Sequence, residues 1–322
     1  MIPKKITKIS VSSPSFSKNQ TLVENLIKSF PETEIQTNQS GHHIAGNDLV
    51  DYFLHSDAVI IGTEKFTKDI IDKLPNLRVV SKYGVGYDNV DIDHLKQKKI
   101  SFCWEGGVNR RSVSEMTLAF MIGLSRNLFY TNAVIRNNQW VKNGGFQLSG
   151  KTIGILGCGF IGEDLIRLLQ PFHCNVLVHD ILDKSVVATC LGAKQISLEN
   201  ILKDADIISL HLPLTEATKG LVDAEFLKKM KKGSYLINTC RGGVVIEDDL
   251  KHYLSLALQS DQSATIMGAA IDVLVNEPPL SYEFLKLPNL FATPHIGGNA
   301  FEAVLSMGNS AIKGLVEWEN NK

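Results

Sequence analysis

No apolar run in the 322 residues reaches the roughly 18 that a membrane-spanning helix needs. Charge of one sign is also lacking. Lys and Arg total 33 against 34 for Asp and Glu, a formal charge of −1. A chain so balanced offers no electrostatic footprint for nucleic acid or anionic lipid, so neither is expected as a partner. Cysteine is sparse: Cys103, Cys158, Cys174, Cys190 and Cys240 form an odd set with no C-x-x-C. That argues against a disulfide framework or zinc knuckle and reads as reduced thiols. None of the 9 histidines sits in an H-E-x-x-H pattern, and His42-His43 lies in a polar stretch read as a solvated loop, so no metal is expected. The first residues hold no long apolar core and no small-residue cleavage site. No secretory leader is expected, and the location is expected to be cytoplasmic.

What is present is ordinary globular material, 44 % hydrophobic and 21 % charged. At roughly 150 residues per domain, the length allows about two domains. Short apolar runs rich in β-branched residues alternate with helical patterns. Strands are expected at residues 7–11, 58–61, 77–81, 100–103, 152–156, 175–179, 206–210, 235–238, 269–273 and 290–292. Runs with so few polar residues suit strands buried on both faces, as in parallel sheets covered by helices. The alternation suggests βαβ units and an α/β fold. Ser112-Val113-Ser114-Glu115 reads as a capping box opening a helix that is apolar nearly all round. Ile161, Leu165, Leu168, Leu169 and Phe172 share one helical face, and Phe301, Val304, Leu305, Ile312 and Leu315 share another. Residues 258–266 read as a polar surface loop. Gly106-Gly107 and Thr293–Gly298 are candidate hinges. They would delimit a central block, 104–294, inserted into an outer domain of 1–103 plus 295–322.

Gly157-Cys158-Gly159-Phe160-Ile161-Gly162 is a G-x-G-x-x-G loop. Alone it is a weak signal. Here a strand precedes it, an amphipathic helix follows, and the next strand ends just before Asp180, 18 residues past Gly162. At that spacing a carboxylate reaches the adenosine ribose of a dinucleotide. Gly157 permits the tight turn, Gly159 lets pyrophosphate approach, and Gly162 lets helix and strand pack, with phosphate at the helix N-terminus. Asp180 would repel the extra phosphate of NADP, which favours NAD. A plain structural turn and an S-adenosylmethionine loop are the alternatives.

Three further side chains follow strands at the carboxyl side of the expected sheet, where ligands bind in open α/β folds. Arg241, in Asn238-Thr239-Cys240-Arg241-Gly242, is a fork suited to an anion. Glu277 precedes Pro278-Pro279, and His295 lies between Pro294 and Gly297-Gly298. Taken singly, these would be a surface ion pair, a solvated acid and a structural histidine. Together they supply a cation for a carboxylate and a proton for a developing alkoxide, beside a hydride donor.

Six ordered segments resemble the D-isomer-specific 2-hydroxyacid dehydrogenase family, in particular its phosphoglycerate dehydrogenase-like branch. They are Lys82–Asp91 (K-Y-G-V-G-Y-D-N-V-D), the 157–162 loop, His211-Leu212-Pro213-Leu214-Thr215, Asn238–Gly242, Asp272–Pro278 and Thr293–Gly298. The resemblance covers roughly residues 57–305. It implies two doubly wound parallel-sheet domains, a Rossmann NAD domain inserted into a flavodoxin-like substrate domain. It also implies an active site between them and a homodimer. Arg241 would bind the carboxylate and carbonyl of a small 2-oxo or 2-hydroxy acid. His295 would be the general acid/base and Glu277 its orienting partner, raising its pKa. The Val85–Gly86 backbone would grip the substrate carboxylate. Asp272 would support the nicotinamide amide, with Pro213, Thr239, Cys240, Arg241 and His295 as further neighbours of the cofactor.

Some positions depart from the family pattern. Glu105-Gly106-Gly107-Val108-Asn109 replaces the usual Thr-Pro-Gly-x-Asn, and Cys240 replaces a common alanine. A thiol beside Arg241 is open to a lowered pKa, although inert packing is the simpler expectation. Lys65 and Lys82 are candidates to meet a substrate phosphate, so 3-phosphoglycerate, hydroxypyruvate and glyoxylate types all stay open. A non-catalytic NAD-sensing binding protein on the same scaffold is the alternative function, and a Rossmann methyltransferase a more distant one.

Overall fold

Two all-parallel sheets organise the computed structural model, which describes residues 5–321. The chain divides into two compact units. The first runs to Asn109 and resumes at Asn299; the second is Arg110–Gly298. Both divisions fall a few residues later than the sequence suggested, for a physical reason. The Trp104 indole donates to the Val85 carbonyl, and Glu105 accepts from Ser310, so these residues belong to the first unit. At the other end, the backbone of residues 295–297 is hydrogen-bonded to Asp272 and so stays with the second.

The first unit carries β1 (Lys8–Val11), β2 (Glu34–Thr37), β3 (Ala58–Ile61), β4 (Val79–Lys82) and β5 (Ser101–Cys103), in the order β2-β1-β3-β4-β5. This is the flavodoxin-like order, whose direction of growth reverses between β1 and β3. Along β3, Ala58 and Ile60 enter one apolar cluster and Val59 and Ile61 the opposite one. The helix Phe301–Asn320 adds Met307, Ala311, Ile312 and Leu315 to the first cluster. Burying Met307, Ile312 and Leu315 is worth roughly 1.5–3 kcal/mol each, which is what returns this helix to the first unit. Phe301, expected on that apolar face, is exposed at the helix start.

The second unit carries β6 (Thr152–Leu156), β7 (Asn175–His179), β8 (Ala193–Gln195), β9 (Ile207–Leu210), β10 (Ser234–Asn238), β11 (Ile266–Ile271) and β12 (Leu290–Ala292). Their order is β12-β11-β10-β9-β6-β7-β8, a Rossmann arrangement that reverses at β6. Both faces are covered: Leu236 enters one cluster and Ile237 the other. The expected fold class, two doubly wound parallel-sheet α/β domains, is the observed one.

Strands β2 and β8 have no counterpart among the expected elements. Both are edge strands, E-I-Q-T and A-K-Q, whose composition follows solvent and not a core. The capping box also fails. The helix starts at Arg110, two residues before Ser112, whose hydroxyl donates to the Gly297 carbonyl instead. That helix buries Val113, Thr117, Phe120, Met121 and Leu124. No helix among the described residues is long and apolar enough to cross a membrane.

Candidate active site

Three neighbouring strands of the second unit end side by side. Asn238 of β10 pairs with Ile271 of β11, which pairs with Ala292 of β12. All run the same way, so residues just beyond them emerge at one edge. Arg241 follows β10, Asp272 and Glu277 follow β11, and His295 follows β12. Gly242 lets two of these loops touch, because a Cβ there would overlap the Leu274 backbone.

His295 has φ +54°, a left-handed conformation that costs a non-glycine residue on the order of 1 kcal/mol. Asp272 holds it there. This carboxylate is only 2 % exposed and accepts from the Thr293 hydroxyl at 2.5 Å, the Ile296 N–H at 2.9 Å and the Gly297 N–H at 2.7 Å. The His295 N–H donates to the Asp272 carbonyl at 2.8 Å. Both carboxylate oxygens of Asp272 therefore serve the histidine loop.

The imidazole Nδ1 lies 2.6 Å from Glu277 Oε2, and the other oxygen of Glu277 accepts from the Leu274 N–H at 2.9 Å. Glu277 thus takes the proton on Nδ1 and leaves Nε2 for chemistry. The hydrogen bond to Glu277 holds the His295 pKa above its ordinary value despite partial burial. Burial pushes Glu277 up, but the bonds from His295 and Leu274 outweigh it and its pKa is lowered. Arg241 donates to the Cys240 carbonyl at 2.7 Å. Its positive charge opposes the protonation of His295, more weakly than Glu277 favours it.

The glycine loop follows β6 at the reversal of strand order. Gly157 has φ +95°, and a Cβ there would overlap the His211 carbonyl oxygen. A Cβ on Gly162 would overlap the Gly157 carbonyl. Gly159 differs: nothing lies within 4 Å of its missing Cβ. It caps the helix Phe160–Leu169 with no side-chain acceptor, so Phe160 and Ile161 open an uncapped N-terminus facing free space. This is the cradle a pyrophosphate requires. Asp180 accepts from Cys158 N–H at 2.8 Å and Leu182 N–H at 2.9 Å, one on each oxygen. Each oxygen keeps acceptor capacity for a ribose hydroxyl. These residues fit NAD.

Other expected cofactor neighbours turn inward. The Thr239 hydroxyl meets Thr117 at 3.0 Å, and the Cys240 thiol donates to Asn238 Oδ1 at 3.1 Å. Burial raises the Cys240 pKa, so proximity to Arg241 does not activate the thiol. Pro213 lies in the loop after β9, its carbonyl accepting from Thr218 at 2.6 Å. In that loop burial drops His211 to about 4, which keeps it neutral.

Sequence reasoning passed over Asn238, Gly242 and Thr293. Asn238 donates to the Arg241 carbonyl at 3.0 Å and accepts from the Cys240 N–H at 3.1 Å, shaping the arginine turn. An Asn at a strand end followed by Thr-Cys-Arg-Gly is a legible Asx-turn signal. Gly242 and Thr293 act through neighbours distant in sequence and carry no local signal.

In the first unit, Lys82 is buried, and its ammonium donates to the Gly62 carbonyl. The Val85 and Gly86 N–H groups, by contrast, have no partner among the described residues. Lys82 lies beneath the same loop, its Nζ 3.4 Å from where a Gly84 Cβ would stand.

The sequence profile described as "D-isomer specific 2-hydroxyacid dehydrogenase, NAD binding domain" matches residues 118–297, more than half of the chain. The chain belongs to the D-isomer-specific 2-hydroxyacid dehydrogenase family. Among its relatives, a hydroxypyruvate reductase of Thermotoga maritima is 30 % identical over 280 residues, covering 85 % of this chain and 88 % of that one. A D-3-phosphoglycerate dehydrogenase of Bacillus subtilis is 34 % identical over 269 residues, covering 82 % of this chain and 50 % of that longer one. The solved structure of the TT0316 protein from Thermus thermophilus superposes with a TM-score of 0.85 at 26 % identity, over 97 % of this chain and 96 % of that one. This 2-hydroxyacid dehydrogenase is an NAD-dependent oxidoreductase acting on CH–OH groups. When bound, NAD would accept or donate the hydride.

Proposed function

We propose that the chain reduces a small 2-oxo acid of the hydroxypyruvate, glyoxylate or phosphohydroxypyruvate type, and reverses the reaction with the matching 2-hydroxy acid. The observation that carries this is the 2.6 Å bond from His295 to Glu277 on a loop beside that of Arg241. Arg241 binds the substrate carboxylate and polarises the carbonyl. His295 gives the proton on Nε2 to the carbonyl oxygen as the hydride arrives. Glu277 stabilises the imidazolium before transfer and fixes its tautomer. Asp272, buried beneath the histidine loop, holds that constellation and borders the nicotinamide. The unpaired Val85 and Gly86 N–H groups take the substrate carboxylate, with Lys82 close to the same loop.

NADH oxidation by the purified protein against glyoxylate, hydroxypyruvate, phosphohydroxypyruvate and pyruvate tests this. Rapid turnover of one acid is expected. Tight NADH binding with no turnover of any of them would favour the NAD-sensing protein instead. Asp180→Ala should narrow the preference for NADH over NADPH by about tenfold, since it removes both ribose acceptors and a charge that repels the 2′-phosphate. An unchanged ratio would mean that Asp180 does not face the ribose.

We also propose a homodimer in the cytoplasm. The helix Leu128–Arg136 has no buried residue, yet exposes Leu128, Tyr130 and Ile135, and Trp140 and Val141 follow it, Trp140 at 78 % exposure. An apolar stripe of that kind seeks a second copy. Light scattering should return twice the 35.5 kDa chain mass, and Trp140→Glu with Ile135→Glu should return the single mass.

A further inference from the structure

The 83–90 loop is held firmly at its two ends. Tyr83 N–H donates to the Ile61 carbonyl at 2.9 Å. At the far end Asn89 donates to the carbonyls of Gly62 at 3.1 Å and Glu64 at 2.6 Å, and accepts from Phe66 N–H at 2.7 Å. Between these anchors Gly84 turns the chain at φ +126°. One side chain reaches the tip: the Trp104 indole donates to the Val85 carbonyl at 2.7 Å. Strand register explains the reach. Ser81 of β4 pairs with Cys103 of β5, so the residue after Cys103 stands beside the loop after β4. Tyr87 steadies the indole edge-on, with ring centroids 4.8 Å apart.

The Val85 carbonyl and the Gly86 N–H belong to one planar trans peptide and point in opposite directions. Whatever fixes the carbonyl therefore aims the N–H. A donor on the carbonyl also strengthens the N–H as a donor, because hydrogen bonds along a peptide polarise one another. Trp104 lies outside every segment assigned a role above.

We propose that Trp104 is a positioning residue: by pinning the Val85 carbonyl, its indole aims the Gly86 N–H at the substrate carboxylate. This deepens the dehydrogenase reading and rests on it. The aromatic pair keeps the peptide from turning over when no acid is bound, so the carboxylate meets a donor already in place and less ordering is needed on binding.

Trp104→Phe keeps a ring against Tyr87 and removes only the indole N–H. With the 2-oxo acid that wild type turns over fastest, KM is expected to rise about tenfold. The kcat and the Kd for NADH should stay within about twofold, and the pH profile should not move, since His295 is untouched. A tenfold rise corresponds to about 1.4 kcal/mol, the scale of one well-formed hydrogen bond. An unchanged KM overturns the proposal, and so does a loss shared equally by KM, kcat and NADH affinity, which marks a structural role. A direct reading needs no variant. In 15N-labelled wild type, the Trp104 indole proton, assigned through its contact with the Tyr87 ring, should exchange with solvent at least tenfold more slowly than free tryptophan. Free exchange overturns the proposal. Wild type inactive on all four acids sinks the substrate reading proposed above, while the indole proton still decides whether Trp104 holds the loop.

Discussion

Replacing His295 with alanine is expected to lower kcat for 2-oxo acid reduction by roughly a thousandfold, within the range measured for general acids. The Kd for NADH should change by less than about threefold, because the glycine loop and Asp180 stand at other strand ends. The pH profile carries the sharper test. Reduction needs the imidazolium, which Glu277 favours, so His295 holds its proton above the ordinary histidine pKa of 6.5. Activity is then full below that ordinary value and declines as pH rises through the raised pKa. Glu277→Gln should move the decline to lower pH and cut kcat, and in His295→Ala it should vanish. A decline at the same pH in Glu277→Gln would show that the 2.6 Å bond does not set the titration. Stability follows the same signs. The raised His295 pKa contributes below 6.5 and is lost as pH rises through it, whereas the lowered Glu277 pKa contributes above 4.5 and is lost on acidification.

Gly157→Ala should abolish usable cofactor binding and weaken the fold together. The new Cβ would meet the His211 carbonyl oxygen, and φ +95° is hostile to any L side chain. Gly157 N–H also donates to the His179 carbonyl at 2.9 Å, tying the loop to β7, so the turn cannot relax without breaking the sheet edge it joins. A loss of about 3 kcal/mol is expected, lowering the melting midpoint by roughly 6–12 °C. NADH affinity should fall at least a hundredfold. Gly159→Ala is the contrast. Its Cβ enters open space, so the midpoint should move by no more than about 2 °C while NADH affinity still falls, because that space is where pyrophosphate must lie. Equal melting losses in the two variants would refute the assignment of turn to Gly157 and approach to Gly159. Calorimetry and NADH fluorescence titration on both proteins separate the outcomes.

Legibility in the sequence followed the source of each signal. Strands 58–61, 152–156, 175–179 and 290–292 were readable to the residue because each is centred on a short apolar run rich in β-branched or large aliphatic residues and bounded by polar residues, glycine or proline. β2 and β8 were not, because E-I-Q-T and A-K-Q contain no apolar run to mark them, and as edge strands they are held by one neighbour's backbone. The helix at Arg110 misled for a related reason. Ser112 and Glu115 have the capping-box spacing, but a carbonyl 185 positions away, that of Gly297, claims the Ser112 hydroxyl.

The site divides in the same way. Gly157, Gly159, Gly162 and Asp180 could be assigned roles from spacing alone, since one βαβ unit contains them all. Arg241, Glu277 and His295 could be named as residue types after strands, yet nothing local brings them together. What does so is the adjacency of β10, β11 and β12, and strand order is settled by long-range packing. The inward turn of Thr239 and Cys240, the burial of Lys82 on Gly62 and the grip of Asp272 on the histidine loop were likewise decided in three dimensions. The sequence by itself determined the class of fold and the cofactor, because periodicity and the spacing within one βαβ unit encode these, while Arg241, Glu277 and His295 were singled out through the family resemblance. Only the tertiary structure decided which hydroxyl, thiol or ammonium is already engaged and which N–H stands open, because a polar group's partner is chosen by whatever packing brings within about 3 Å.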